Sequence, residues 1–123
     1  MLESAEMMGF VFTKDYDKAR AFYEGSLSFK FVSLDQFALV MNTGKNLIRI
    51  VKLPDFTPAK ATVLGWEVKD IEASVAALSR NGVLFEDYPF IEDRERLIWT
   101  APDGSKVAWF KDPDGNVLSV SQH

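Results

Sequence analysis

The chain has 123 residues, 47% hydrophobic and 26% charged, which suits one domain with its own core. A net charge of −4 and the lack of any basic run argue against nucleic-acid binding. There is no cysteine, which excludes disulfides, a thiol nucleophile and cysteine-ligated zinc, and agrees with a cytoplasmic location.

Met1–Gly9 carries Glu3 and Glu6 rather than a basic and then an apolar stretch, so it does not read as a signal peptide. No run is long and apolar enough for a membrane span, and no membrane partner is expected. Met7–Thr13 reads as a strand. Asp15 is an N-cap, and the spacing of Ala19, Phe22, Tyr23 and Leu27 predicts a helix over Tyr16–Leu27. Strands are expected at Phe29–Ser33, Phe37–Asn42 and Asn46–Lys52. Residues 53–61 contain two prolines and no periodicity, and read as a linker.

The pattern then restarts. Thr62–Val68 reads as a strand, Asp70 as an N-cap and Ile71–Asn81 as a helix stopped by Gly82. Val83–Glu86, Leu97–Ala101, Lys106–Phe110 and Val117–Ser121 read as strands. Glu86–Arg96 is a long charged connection containing Tyr88–Pro89–Phe90, a lid or a solvated loop. The order is βαβββ and then β, α and four strands, read as a second βαβββ module, so residues 1–123 form a single domain of two modules, 7–52 and 62–122.

The first-helix segment Asp15–Tyr16–Asp17–Lys18–Ala19–Arg20–Ala21–Phe22–Tyr23–Glu24, the paired βαβββ order and the closing turn Asp112–Pro113–Asp114–Gly115–Asn116 together resemble the vicinal-oxygen-chelate superfamily. That group includes glyoxalase I, bleomycin-resistance proteins and extradiol dioxygenases. The resemblance implies an α+β fold in which two tandem βαβββ modules curl a mixed sheet around a cavity, with helices on the outer face. It also implies a homodimer.

Members of that superfamily usually hold a divalent metal on the first and last strands of each module. Counting by the family's spacing from the matched motifs gives Met8 and Val63 on the first strands. The last strands give Ser119 and a position within Ile48–Val51, placed at Arg49. A thioether, an isopropyl group, a hydroxyl and a guanidinium do not make a site for a hard or borderline dication. The resemblance therefore implies this scaffold with no metal and no cofactor. Metal-dependent glyoxalase or dioxygenase activity is not expected. His123, as the last residue, reads as a solvated end.

Strand alternation extends the inward set to Phe10 and Phe12 beside Met8, to Glu67 beside Val63, and to Ser121 beside Ser119. Trp99 and Trp109 are either stacking surfaces or core. The expected function is binding of a small organic molecule, anionic or aromatic, by Met8, Phe10, Phe12, Arg49, Val63, Glu67, Trp99, Ser119 and Ser121. Arg49 suits a carboxylate or phosphate, or else pairs with Glu67. The alternatives are a metal-independent isomerase or lyase using Arg49 and Glu67, and a non-catalytic regulatory or interaction module. The sequence names no catalytic residue.

Overall fold

Two aspartates start the two helices. In the computed structural model, which describes Met1–His123, Asp15 accepts from the amides of Asp17 (2.9 Å) and Lys18 (3.2 Å), and Asp70 from that of Ala73 (3.1 Å). The element order is β1 (Met8–Thr13), α1 (Tyr16–Arg20), β2 (Lys30–Leu34), β3 (Leu39–Asn42), β4 (Leu47–Lys52), β5 (Thr62–Glu67), α2 (Ile71–Arg80), β6 (Trp99–Thr100), β7 (Lys106–Lys111) and β8 (Val117–Gln122). The fold is therefore α+β, with two βαβββ modules in tandem. The chain divides into two compact units, Met1–Pro58 and Ala59–His123, and the division falls inside the proline-containing segment 53–61.

Each unit is a four-stranded mixed sheet with a helix on one face. The orders are β1-β4-β3-β2 and β5-β8-β7-β6, the same topology twice, and neither sheet closes on itself. In each, the first strand runs parallel to the last and the other pairs are antiparallel.

The core of the first unit lies between α1 and its sheet. Val11, Leu39, Met41, Ile48 and Ile50 are buried there with Ala19 and Tyr23. In the second unit α2 buries Ile71 and Val75 against Ala108, Phe110, Leu118 and Val120. Strand alternation puts the sheet residues of these cores on the face opposite the inward set, and removing them from water drives each unit's folding.

Three expectations need correction. The first helix is α-helical only to Arg20, then widens into a π turn over Ala21–Ser26. Tyr23 is fully buried there, whereas Phe22 and Leu27 are only half-buried, so the expected four-residue face is incomplete. Val83–Glu86 is no strand: Phe85 makes one isolated bridge to Phe110, and the Glu86 amide donates to Trp109 O at 2.8 Å. Leu97–Ala101 shortens to Trp99–Thr100, because Leu97 turns out of extended geometry at φ 60°.

The Asp-Pro-Asp-Gly-Asn turn has a structural cause. Buried Asp112 accepts from the amides of Asp114 (2.9 Å) and Asn116 (2.9 Å) and from Asn116 Nδ2 (2.8 Å). Gly115 supplies the φ of 88° that the turn requires. This fixes where β8 begins, and hence where Ser119 stands.

Candidate functional site

The helix covers one face of each sheet. The chemistry expected from the sequence falls on the other face, and the register shows it strand by strand.

In the first unit Met8 lies opposite Leu47, Phe10 opposite Arg49 and Phe12 opposite Val51. Directly opposed residues share a face, so these six side chains stand together, away from α1. Met8, Phe10 and Phe12 are exposed, with Phe10 at 56%. Phe12 tilts against Phe56 at 5.9 Å, and Lys14 Nζ lies 5.9 Å from the Phe56 ring centre. Arg49 is half-buried, the one cation among the six. The carboxyl of Asp35 lies below its ordinary range because it accepts from the amides of Phe37 and Ala38, with the positive field of Arg49 adding to the effect.

In the second unit Gly65 opposes Ser119 and Glu67 opposes Ser121, while Trp109 opposes Ser119 from the other side. Trp99 opposes Val107, which opposes Ser121. Ser119, Ser121, Glu67, Trp99 and Trp109 thus share the face away from α2. Thr62 pairs with Val117 and Leu64 with Leu118, so Val63 is the extra residue of a bulge with no opposing residue. Ser119 is buried because Gly65 admits its hydroxyl: a Cβ on Gly65 would lie only 2.8 Å from Ser119 Oγ.

Two features of this face escaped the sequence reading. Trp99 and Trp109 sit 5.9 Å apart, and Phe90 meets each of them edge-on at 5.8 Å. Tyr88 stacks on Phe90 at 5.5 Å and meets Trp109 edge-on at 5.5 Å. The Tyr88–Pro89–Phe90 stretch therefore lies on the sheet and builds an aromatic wall beside Ser119. Its i, i+2 aromatic spacing was the available signal. The second feature is His123, which is not a free end: its Nδ1 is 2.7 Å from Glu67 Oε1, although both side chains are largely exposed. Continued strand alternation from Ser121 carries the ring to Glu67.

The donor set does not fit a divalent metal. Met8, Arg49, Val63 and Ser119 offer a thioether, a cation, a hydrocarbon and a hydroxyl. Glu67 and His123 contribute two donors, and no group of three or more His, Cys, Asp or Glu is placed to hold an ion. What the faces offer is aromatic and apolar area with a few polar groups, which is how small-molecule surfaces combine affinity and orientation. No helix is long and apolar enough to cross a membrane.

Comparison with known proteins fits this geometry. The model of the Glyoxalase/Bleomycin resistance protein/Dioxygenase superfamily matches residues 5–120. Among solved structures, a member of that superfamily from Sphaerobacter thermophilus is 19% identical, with a TM-score of 0.76 over 100% of both chains. A lactoylglutathione lyase from Agrobacterium tumefaciens is 18% identical, with a TM-score of 0.70 over 97% of this chain and 93% of its own. A bleomycin-binding protein complexed with bleomycin is 22% identical, with a TM-score of 0.72 over 98% of this chain and 99% of its own. Among curated protein sequences, none matches this chain.

Proposed function

We propose, from the premise that this chain belongs to the Glyoxalase/Bleomycin resistance protein/Dioxygenase superfamily, that it binds a small, partly aromatic organic molecule on the open faces of its sheets without help from a metal. The observation that carries this reading is the aromatic wall of Trp99 and Trp109 beside the hydroxyls of Ser119 and Ser121. Planar rings would stack on the wall, and the half-buried Ser121 hydroxyl would orient one polar edge. The open face of the first unit would by itself offer such a molecule apolar area on Met8, Phe10 and Phe12, and Arg49 for a carboxylate or phosphate. The bleomycin-binding protein of similar fold supports ligand binding as a use of this scaffold. A homodimer belongs to the same reading, and sedimentation equilibrium tests it.

Thermal unfolding in the presence of aromatic carboxylates, aromatic phosphates and neutral aromatics tests the binding function. A true ligand raises stability by mass action, about 2.7 kcal/mol at a hundred times its Kd. Arg49→Ala should weaken the anionic members most. A panel in which no compound shifts the transition would refute the reading.

A second reading, a metal-independent isomerase or lyase, is favoured by the 2.7 Å contact between Glu67 and His123. A carboxylate that orients an imidazole is a recurring arrangement for proton transfer. Conversion of a stabilising compound, abolished in Glu67→Gln with binding intact, would establish it. Binding with no conversion would leave the protein a binder.

A further inference from the structure

We propose that the cleft at the outer edge of β6 is a second binding site, for a zwitterionic aromatic molecule of amino-acid size. The cleft encloses about 510 Å³, within the range of small-molecule sites. It opens where β6 ends the sheet, on the side reached by α2 and by Lys106 of β7. Lys106 alternates with Val107, so it points away from the Ser119 and Ser121 strip. Trp99 alternates the other way and belongs to the aromatic wall beside that strip, so the cleft rounds the edge of the sheet and shares this wall with the face on which the first ligand is proposed to bind.

One wall is aromatic. The rings of Phe90 and Trp99 meet edge to face at 5.8 Å, and Phe90 is 54% exposed. The charged lining sorts into groups already occupied and groups that are free. Arg96 is held twice, by Glu72 (Nη1 to Oε2, 3.0 Å) and by Asp93 (Nε to Oδ2, 3.2 Å). Asp93 also accepts from the Arg96 amide at 2.9 Å. These three side chains bind one another and brace the cleft.

Glu92 and Lys106 line the same cleft and form no ion pair, with each other or with any other side chain. A free carboxylate and a free ammonium that are not in contact leave room for a molecule to bridge them. A ligand bearing both an ammonium and a carboxylate answers both charges at once, and a ring beside them covers Phe90 and Trp99. Glu92 is exposed and Lys106 half-buried, so a ligand with one charge answers only one of them and forgoes the second ion pair, which lowers its affinity.

L-Phenylalanine is the probe, with 2-phenylethylamine and 3-phenylpropanoate as its singly charged analogues, each titrated into ¹⁵N-labelled protein. Saturable shifts are expected at the amides of Thr100 and Lys106 and the Trp99 indole, with L-phenylalanine binding at least about tenfold tighter than either analogue. Glu92→Gln and Lys106→Met should each weaken it about tenfold, while Lys69→Met, at an exposed lysine outside the cleft, leaves it unchanged. Spectra of the free variants that overlay the parent's show that the fold is intact. The proposal is overturned if no saturable shift occurs at millimolar probe, if all three compounds bind alike, or if neither charge variant matters. Shifts confined to Ser119 and Trp109 would also overturn it, and would instead favour the open face as the site of binding.

Discussion

At the scale of single residues, Gly65 and Ser119 form a matched pair. The glycine's missing side chain is the space in which the Ser119 hydroxyl sits, 2.8 Å from where a Cβ would be. Gly65→Ala should therefore destabilise the protein, by about 1–3 kcal/mol as for other overpacked sites, read from urea unfolding. Adding Ser119→Ala should recover most of that loss, because the obstacle is one hydroxyl; simple additivity of the two losses would refute the explanation. The face on which Ser119 stands was legible in the sequence, since alternation and the Asp112–Asn116 turn fixed its parity. Its burial was not, because that depends on Gly65, a residue on another strand. The same holds for His123: alternation carries its ring to the face of Glu67, but the 2.7 Å contact needs β5 and β8 side by side.

At the scale of elements, aspartates rather than apolar residues hold several turns in shape. Asp35 accepts from the amides of Phe37 and Ala38 in the β2–β3 connection, and Asp93 from those of Arg96 and Glu95 before β6. Asp103 accepts from the Ser105 amide in the β6–β7 connection. These hydrogen bonds are the chief reason each carboxyl lies below the usual aspartate value of 3.8. A group whose folded pKa is depressed contributes stability above its unfolded value, and that contribution is lost as pH falls through the folded one. Thermal stability should thus drop as the solution is acidified below the usual aspartate range. The triple variant Asp35→Asn, Asp93→Asn, Asp103→Asn should show a shallower drop, since an amide oxygen still accepts but does not titrate in that range. An equal slope would remove these turns from the acid response. Helix starts and most strands were legible because caps and alternation are local. Val83–Glu86 misled because extended, apolar residues also occur where the partner strand offers only one bridge, and the π turn has no local signature.

At the scale of the whole molecule, the repeated βαβββ order was readable because it needs only the sequence of element types. The strand orders β1-β4-β3-β2 and β5-β8-β7-β6 then follow from the same connections made twice. Of the aromatic wall only the Tyr88–Phe90 spacing was readable, because the wall forms when the connection after α2 folds back onto the sheet. The donor chemistry yields a prediction for the intact protein: neither a chelator nor added zinc or nickel should move the thermal midpoint. A dication bound at a hundred times its Kd would add about 2.7 kcal/mol, easily seen by calorimetry, and such a shift would show that donors outside the counted positions assemble a site.

The parallel pairing that closes each unit has a consequence for how the chain tolerates change. Met8 is joined to Leu47 in one unit, and Gly65 to the more distant Ser119 in the other, so the second closure spans more chain. The entropy of closing a loop grows only with the logarithm of its length, about 0.6 kcal/mol for a doubling, and the two spans differ by less than that. The extra length in the second unit is the irregular stretch between α2 and β6, which brings Tyr88, Phe90 and Arg96 to the sheet. Material can be added there at little thermodynamic penalty and with no change of strand register. A duplicated scaffold of this kind can therefore diverge by lengthening one connection, keeping one half as a plain support while the other acquires new surface.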